Sequence, residues 1–373
     1  MTVVISGTGL FTPTQVITNQ ELVDSFNSYV DDFNQSNKDK ITSGEIQALE
    51  PSSAGFIEKA SGIKQRYVID KKGILDPTRM RPFIATRAPE EPSLQCEMAL
   101  KAINQALDVA QINPQEVDGI IVACSNFQRA YPAISIEIAH FLQSAAFGFD
   151  MNVACSSATF GIATATAMIE AKQAKTIIVV NPEICSGHLN FRDRESHFIF
   201  GDACTALVLQ EKSLAKVPHF QIIDTKLTTS YSNNIRNNQG FLTHTEVATQ
   251  EAIPHHLFMQ QGRKVFKEVI PLVCEHLLSH CNSNHIQLED IKRLWLHQAN
   301  RSMNELITKK VLNKELNELD APIILDTFAN TSSAGSIICF HQHHHDFIEN
   351  EIGIICSFGA GYSIGSVLVR KFN

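Results

Sequence analysis

Cys155 stands in the stretch Asp150-Met-Asn-Val-Ala-Cys-Ser-Ser-Ala-Thr-Phe-Gly-Ile-Ala-Thr-Ala-Thr-Ala-Met-Ile169, which carries no charge after its first residue. The apolar run Ala146-Phe-Gly-Phe149 leads into a short strand, and Phe160, Thr164, Ala167 and Ala171 repeat at helical spacing beyond the cysteine. The stretch therefore reads as strand, elbow and helix, with Cys155 at or near the helix start. A thiol there meets unpaired backbone N–H groups and the positive end of the helix dipole, both of which favour thiolate. Small neighbours, Ala154, Ser156, Ser157 and Ala158, leave room for a substrate beside the sulfur. The competing reading is a small buried hydrophobe, the usual role of a free cysteine.

His297 follows the apolar run Leu294-Trp-Leu296, and Asn330 opens Asn330-Thr-Ser-Ser-Ala-Gly335. Each alone is explained by a loop histidine or a turn residue. Open α/β sheets, however, place ligands beyond the carboxyl ends of their strands, where all three residues stand. The tail Ser357-Phe-Gly-Ala-Gly-Tyr-Ser-Ile-Gly365 offers backbone N–H donors or plain turns. His341-Gln-His-His-His-Asp346 has metal-binding residue types but no second cluster, and reads as a solvated helix face.

The elements that position these residues alternate between strand and helix. A strand at Val3-Val-Ile-Ser-Gly-Thr-Gly runs into a turn, and its glycines lack the third member of a dinucleotide fingerprint. Thr18-Asn-Gln-Glu marks a helix start. Residues 24–54 read as a polar, surface helical excursion, and 71–92, with four prolines, as a long exposed loop. From Ser93 the strands Gly119–Cys124, Thr176–Asn181 and Cys204–Gln210 alternate with helical periods, implying a parallel or mixed sheet covered on both faces. The second half repeats the first: 118–126 matches 291–299, the Cys155 elbow matches 330–335, 176–180 matches 353–356, and 206–209 matches 366–369. Two α/β units follow, residues 1–212 with Cys155 and 213–373 with His297 and Asn330, joined near Glu211 to Phe220.

The 373 residues, 44% of them hydrophobic, suffice for two domain-sized units. Met1-Thr-Val-Val-Ile-Ser has no basic run before an apolar one, so secretion is not expected. The uncharged window Met151–Ile169 holds Asn152, two Ser and three Thr, which favours a buried strand and helix over a membrane span. Nine cysteines without CxxC pairs fit a reducing, cytoplasmic setting, with neither a disulfide framework nor zinc. The net charge of -8 argues against nucleic acid as a partner.

Over nearly its whole length the chain resembles a β-ketoacyl-acyl carrier protein synthase III, of the condensing-enzyme or thiolase-fold superfamily. The motifs that carry the resemblance are Asn152-Val-Ala-Cys-Ser-Ser, Phe200-Gly-Asp202, His297-Gln-Ala-Asn300, Asn330-Thr-Ser-Ser-Ala-Gly and Phe358-Gly-Ala-Gly-Tyr-Ser-Ile-Gly-Ser366. The resemblance implies a duplicated, layered αβαβα fold with mixed central sheets. It implies that Cys155 accepts the acyl group, that His297 and Asn330 are its catalytic partners, and that the backbone N–H groups of Cys155 and Ala360 form an oxyanion hole. The reaction implied is decarboxylative Claisen condensation of an acyl-coenzyme A or acyl-acyl carrier protein primer with malonyl-acyl carrier protein. Coenzyme A and phosphopantetheine thioesters enter as substrates, and no cofactor is expected. Such chemistry needs a thiol to hold one acyl group and neutral donors for the enolate left by decarboxylation.

By the same resemblance Phe358 shields the site, Tyr131 reaches the acyl pocket of the partner in a homodimer, and Lys267, Lys309 and Lys310, with the adjacent Arg301, match basic positions around the tunnel mouth where carrier protein docks; those lysines read equally as solvated helix faces. Arg194 matches an adenine-contacting side chain. Phe56 stands where the family often has a tryptophan, Ala60 and Ser302 stand where it has arginines, and the excursions at 24–54 and 71–92 lengthen the chain. These departures bear on primer choice. The rivals are acyl transfer to a heteroatom, thiolysis or head-to-head condensation on the same fold, a cysteine hydrolase, and a non-catalytic scaffold that binds carrier protein.

Overall fold

The computed structural model describes residues 2–243, 256–313, 317 and 319–373. Strands β1 (Val3–Phe11), β2 (Gly119–Ala123), β3 (Phe147–Met151), β4 (Thr176–Ile184), β5 (Asp202–Glu211), β6 (His219–Ser232), β7 (Ile291–Leu296), β8 (Ile352–Gly359) and β9 (Gly361–Phe372) form a nine-stranded sheet ordered β7-β8-β9-β6-β1-β5-β4-β2-β3. On one side of the β1/β6 join, β1 pairs antiparallel with β5, β5 antiparallel with β4, and β4 parallel with β2. On the other side β6, β9, β8 and β7 repeat that sequence of orientations. The sheet is mixed, and each half places its parallel strands outermost.

Alternation along the strands sorts side chains onto two faces. Ile121 and Ala123 of β2 join a core built on helices α3 (Ser157–Glu170) and α6 (Ala334–Gln342), together with Trp295, Ile355 and Val367 from the other half. Ile120 and Val122 face the opposite way, against helix α2 (Leu94–Ala110). Leu294, Leu296 and Ile354 do the same against α4 (Gly262–Ser283) and α5 (Arg301–Leu312). The result is the expected αβαβα layering. α3 and α6 form the middle layer, touching both halves, which is why only α3's terminal Glu170 carries a carboxylate or cationic Lys/Arg side chain in either helix.

Gly7 and Gly9 are not a ligand loop. A Cβ at either would collide with the Ala106 or Ala102 carbonyl of α2, so these glycines let α2 close onto β1. Helix α1 (Asn19–Ser36) starts where Thr18 predicts, with a capping box between Thr18 and Glu21, and buries Leu22, Phe26 and Val30. The exposed loop expected at 71–92 is corrected over its first part. Asp70 caps a helical turn, Lys71–Leu75, by accepting the Gly73 N–H at 3.1 Å, and Ile74 and Met80 are buried. No helix among the described residues is long and apolar enough to cross a membrane.

Candidate active site

Cys155 lies in a 3-10 turn, Ala154–Ser156, directly before α3. The elbow is tied by side chains. Asn152 Oδ1 accepts the Ala154 N–H at 2.8 Å while its Nδ2 donates to the Ser125 carbonyl at 2.7 Å, and the Val153 N–H donates to Ser157 Oγ at 2.8 Å. Ala154 takes a left-handed φ of 47°, which turns the chain sharply enough to present the sulfur. The predicted repeat Phe160, Thr164, Ala167, Ala171 turns out to be the less buried face of α3, while Ala158, Ile162, Ala165 and Ile169 face the core.

His297 follows β7, its N–H donating to the Cys356 carbonyl of β8 at 2.8 Å. Asn330 sits in a loop before α6, held by its own N–H on the Ile199 carbonyl and its carbonyl on the Gly201 N–H, both at 3.0 Å. The Ser332 N–H donates to Asn330 Oδ1 at 2.9 Å. Only the amide oxygen can accept that bond, which orients the side chain and leaves its NH2 to donate elsewhere.

Cys155, His297, Asn330 and Phe358 line one cavity of about 680 Å³. The Phe358 ring stands edge-on to His297, 5.3 Å between centroids at 86°. Ser332 Oγ lies 3.6 Å from the sulfur. Phe200, Phe258, Val265 and Met303 make much of the wall apolar, and Phe56 and the exposed Lys267 also line it.

Burial pushes the Cys155 thiol up to about 11; the Ser332 hydroxyl and the backbone N–H groups of Ala360 and Cys155 pull it down, and the Glu183 carboxyl pushes it further up. The thiolate expected from the helix start is thus corrected for the free chain: loss of solvent outweighs the N–H groups aimed at the sulfur. Burial drives His297 down to about 4, opposed only by the Ser332 backbone, so its ring is neutral at pH 7. A neutral imidazole and an oriented amide are thus two uncharged polar groups lining one cavity.

Of the other predicted residues, Arg194 stacks over the Phe56 ring at 4.6 Å and donates from Nε to the Pro51 carbonyl at 2.9 Å. Arg301 is the first residue of α5, ion-paired to Glu305 at 3.0 Å and packed beside Gly62, and Lys309 and Lys310 lie in the last turn of that helix; none of the three lines the cavity. Tyr131 is 85% exposed and also outside it. The solvated face expected at His341–Asp346 is corrected in part: Gln342, His345 and Asp346 are exposed, but the other three are half-buried. His341 Nδ1 bonds Thr8 Oγ1 at 2.8 Å, His344 stacks on Phe340, the His343 carbonyl accepts from Trp295 Nε1 at 2.9 Å, and Asp346 takes both ends of the Arg293 guanidinium.

Sequence reasoning missed Glu183, Ser332, Ser333 and Gly359. Glu183 gave a signal as a carboxyl inside the otherwise uncharged β4, and Ser332, Ser333 and Gly359 stand inside quoted motifs that did not single them out.

The chain matches the family models of 3-oxoacyl-[acyl-carrier-protein] synthase III over residues 149–230 and of that enzyme's C-terminal part over residues 281–371. It is 54% identical to a β-ketodecanoyl-[acyl-carrier-protein] synthase of Pseudomonas aeruginosa, over 94% of this chain and 100% of that one. It is 26% identical to a β-ketoacyl-[acyl-carrier-protein] synthase III of Ehrlichia ruminantium, over 89% of this chain and 95% of the other. The fold is shared with the crystal structure of 3-oxoacyl-[acyl-carrier-protein] synthase III from Aquifex aeolicus, at TM-score 0.76 and 22% identity over 99% of this chain and 100% of that one. With Cys155, His297 and Asn330 lining one cavity and these relatives matching along nearly its whole length, the chain belongs to the β-ketoacyl-[acyl-carrier-protein] synthase III family of thiolase-fold condensing enzymes.

Proposed function

We propose that this enzyme joins an eight-carbon acyl thioester to malonyl-acyl carrier protein, giving β-ketodecanoyl-acyl carrier protein. The chain is an acyltransferase of fatty acid synthesis, and its reaction is a decarboxylative Claisen condensation. The primer length follows from the 54% identical relative, whose name gives a ten-carbon β-keto product. Decarboxylative condensation adds two carbons, so the primer has eight. The apolar cavity wall of Phe200, Phe258, Val265 and Met303 is suited to such a chain.

In the first half-reaction the Cys155 sulfur attacks the primer's carbonyl carbon, the thiol proton leaves with the departing coenzyme A or pantetheine sulfur, and an acyl-Cys155 thioester remains. The backbone N–H groups of Cys155 and Ala360, which lie against the sulfur, receive the carbonyl oxygen as it gains charge. In the second, the malonyl carboxylate leaves as carbon dioxide, His297 and Asn330 donate to the enolate oxygen, and the enolate carbon attacks the acyl-Cys155 carbonyl. The C–S bond breaks and the sulfur recovers a proton from solvent, one proton being consumed per condensation. The scheme uses the thioester substrates, that proton and this chain's own groups.

Convergence of Cys155, His297 and Asn330 on one cavity carries the proposal. Around it stand finer readings: two matched units at 1–212 and 213–373, supported by the repeated strand orientations; a homodimer in which the exposed Tyr131 reaches the partner; a cytoplasmic enzyme; and carrier protein docking at Lys267 with Arg301, Lys309 and Lys310. The test is intact-protein mass spectrometry after incubation with acyl thioesters of two to twelve carbons. An octanoyl adduct should dominate and vanish in Cys155→Ala. Preferential retention of acetyl would overturn the chain length, and persistence of label in the variant would overturn the nucleophile.

A further inference from the structure

We infer that Glu183 is a positioning residue for Asn330, holding the 330–333 loop of one half of the molecule to the strand ends of the other. The inference rests on the reading of Asn330 as an enolate donor. Glu183 stands near the end of β4, fully buried, with no cation among the described residues bonded to it. Burying a carboxyl without partners is strongly unfavourable, so its contacts define its role. Oε1 accepts the Ser125 N–H at 3.0 Å and the Ser333 N–H at 3.2 Å, and also takes the Ser333 hydroxyl; Oε2 accepts the Ser125 hydroxyl at 2.6 Å. Ser125 follows β2 and Ser333 caps α6, so one carboxyl joins two strand ends of the first half to the Asn330 loop of the second.

That loop needs an external tie. Ala329 has φ 56° and ψ -159°, a region populated mainly by glycine, and Ser332 has φ 50°. Such conformations are strained and persist only where the surroundings hold them. On its upstream side the loop is held by the backbone bonds of Asn330 to Ile199 and Gly201; on its downstream side Glu183 holds Ser333. Between the two, the Ser332 N–H fixes the Asn330 amide. If Ser333 is released, the residue that orients Asn330 loses its neighbour's anchor, and the donor loses its aim. Acylation of Cys155 depends on this loop only through the Ser332 hydroxyl, 3.6 Å from the sulfur, and is affected far less.

The bonds also say which substitution is tolerated. A glutamine at 183 keeps an oxygen for Ser125 N–H and Ser333 and turns its NH2 toward the Ser125 hydroxyl, so Glu183→Gln preserves the tie while Glu183→Ala removes it. Acylation is measured by octanoyl transfer to Cys155 in the full chain, and decarboxylation by carbon dioxide release from malonyl-acyl carrier protein. Glu183→Ala and Ser333→Ala should slow decarboxylation about tenfold with acylation within about twofold, and Glu183→Gln should restore it. In an Asn330→Ala background neither alanine change should cost anything more, because residues acting through one group are not additive. Ser333→Ala keeps the backbone bond and serves where Glu183→Ala does not fold. Losses that add independently to a clear Asn330→Ala defect, or equal damage to both half-reactions, would overturn the positioning role alone. An Asn330→Ala enzyme that decarboxylates normally would overturn the enolate reading and this inference with it.

Discussion

Gly359 lies so close to Cys155 that a Cβ on it would stand 2.6 Å from the cysteine Cβ and 3.0 Å from the sulfur. Gly359 is the last residue of β8, held in register opposite Ser363 of β9, so it has no room to retreat. The glycine therefore sets how deeply the sulfur can sit. Overpacking of this kind typically costs about 1–3 kcal/mol. Gly359→Ala is expected to lower the thermal midpoint and to slow octanoyl transfer to Cys155 at least tenfold. Acylation at the normal rate would show that the sulfur does not need this position.

His297→Ala and Asn330→Ala should each reduce malonyl decarboxylation by about 10² to 10³, the usual effect of losing an oxyanion donor. Acylation should fall far less, because these donors face the enolate. Carbon dioxide release and acyl transfer measured on the same preparations separate the two effects. Equal losses in both would assign His297 instead as the base for Cys155, a hydrolase-like arrangement.

Much of this site is legible in the amino-acid sequence. Cys155 and His297 are polar residues that follow strands, and the repeat in the chain matches the Asn330 loop to the Cys155 elbow, although a helical turn, Leu325–Phe328, and not the expected strand precedes Asn330. The Thr18 cap and the middle-layer helices α3 and α6 are legible for similarly local reasons. What cannot be read is what depends on distance across the fold. Glu183 and Ser333 are separated by 150 positions, and their bond exists only because the two halves meet. Gly359 looks like one glycine in a rich tail until Cys155 is found against it. The thiol shifts against the direction that a helix start suggests, because the helix start is visible in sequence and the depth of burial is not. The histidines at 341–345 look solvated because their partners, Thr8, Trp295 and Phe340, come from elsewhere in the fold or from the helix's buried face.

With the Cys155 thiol near 11, alkylation of the free enzyme should keep accelerating through pH 9 and 10, where an ordinary thiol has already levelled off. The Glu183 carboxyl raises the thiol further, so Glu183→Gln should move the profile to lower pH. Iodoacetamide inactivation rates between pH 7 and 11 provide the measurement. A plateau below pH 9 in the parent enzyme would mean that burial does not dominate the sulfur.

His197, His276 and His297 are all buried and all driven down to about 4 by burial. Unfolded histidine titrates near 6.5, so between about 6.5 and 4 the unfolded chain binds more protons than the folded one. For these histidines the sign is therefore fixed: stability falls as pH drops through that window, by up to about 1.4 kcal/mol per pH unit for each, opposed below about 6 by the buried Asp202, whose carboxyl burial raises to about 6. Urea unfolding at pH 7, 6 and 5 should show midpoints declining steeply below pH 6.5. A flat profile would mean that these rings gain protons without leaving the folded state.

The start of α4 should carry the carrier-protein contact. Arg263, Lys264 and Lys267 are exposed in its first two turns, no acidic residue offsets them in the first turn, and Arg263 and Lys267 line the cavity that leads to Cys155. Cations at a helix N-terminus oppose the dipole, which favours negative charge there by about 0.3–1 kcal/mol per group. A helix built for stability alone would carry the opposite sign, so the arrangement is better explained by an acidic surface that approaches it. The chain itself is net negative at -8, so attraction to an acidic carrier surface must come from a local patch. Lys267→Glu is expected to raise the apparent KM for malonyl-acyl carrier protein, with the effect shrinking as salt rises, since the Debye length is ~10 Å at 0.1 M. The same variant should be as stable as the parent or slightly more so, because the new charge suits the dipole. Turnover of a small pantetheine thioester should change little. A Lys267→Glu enzyme that lost stability and small-substrate turnover together would place this lysine in the support of the cavity, and the docking contact would have to be sought along Arg301, Lys309 and Lys310 instead.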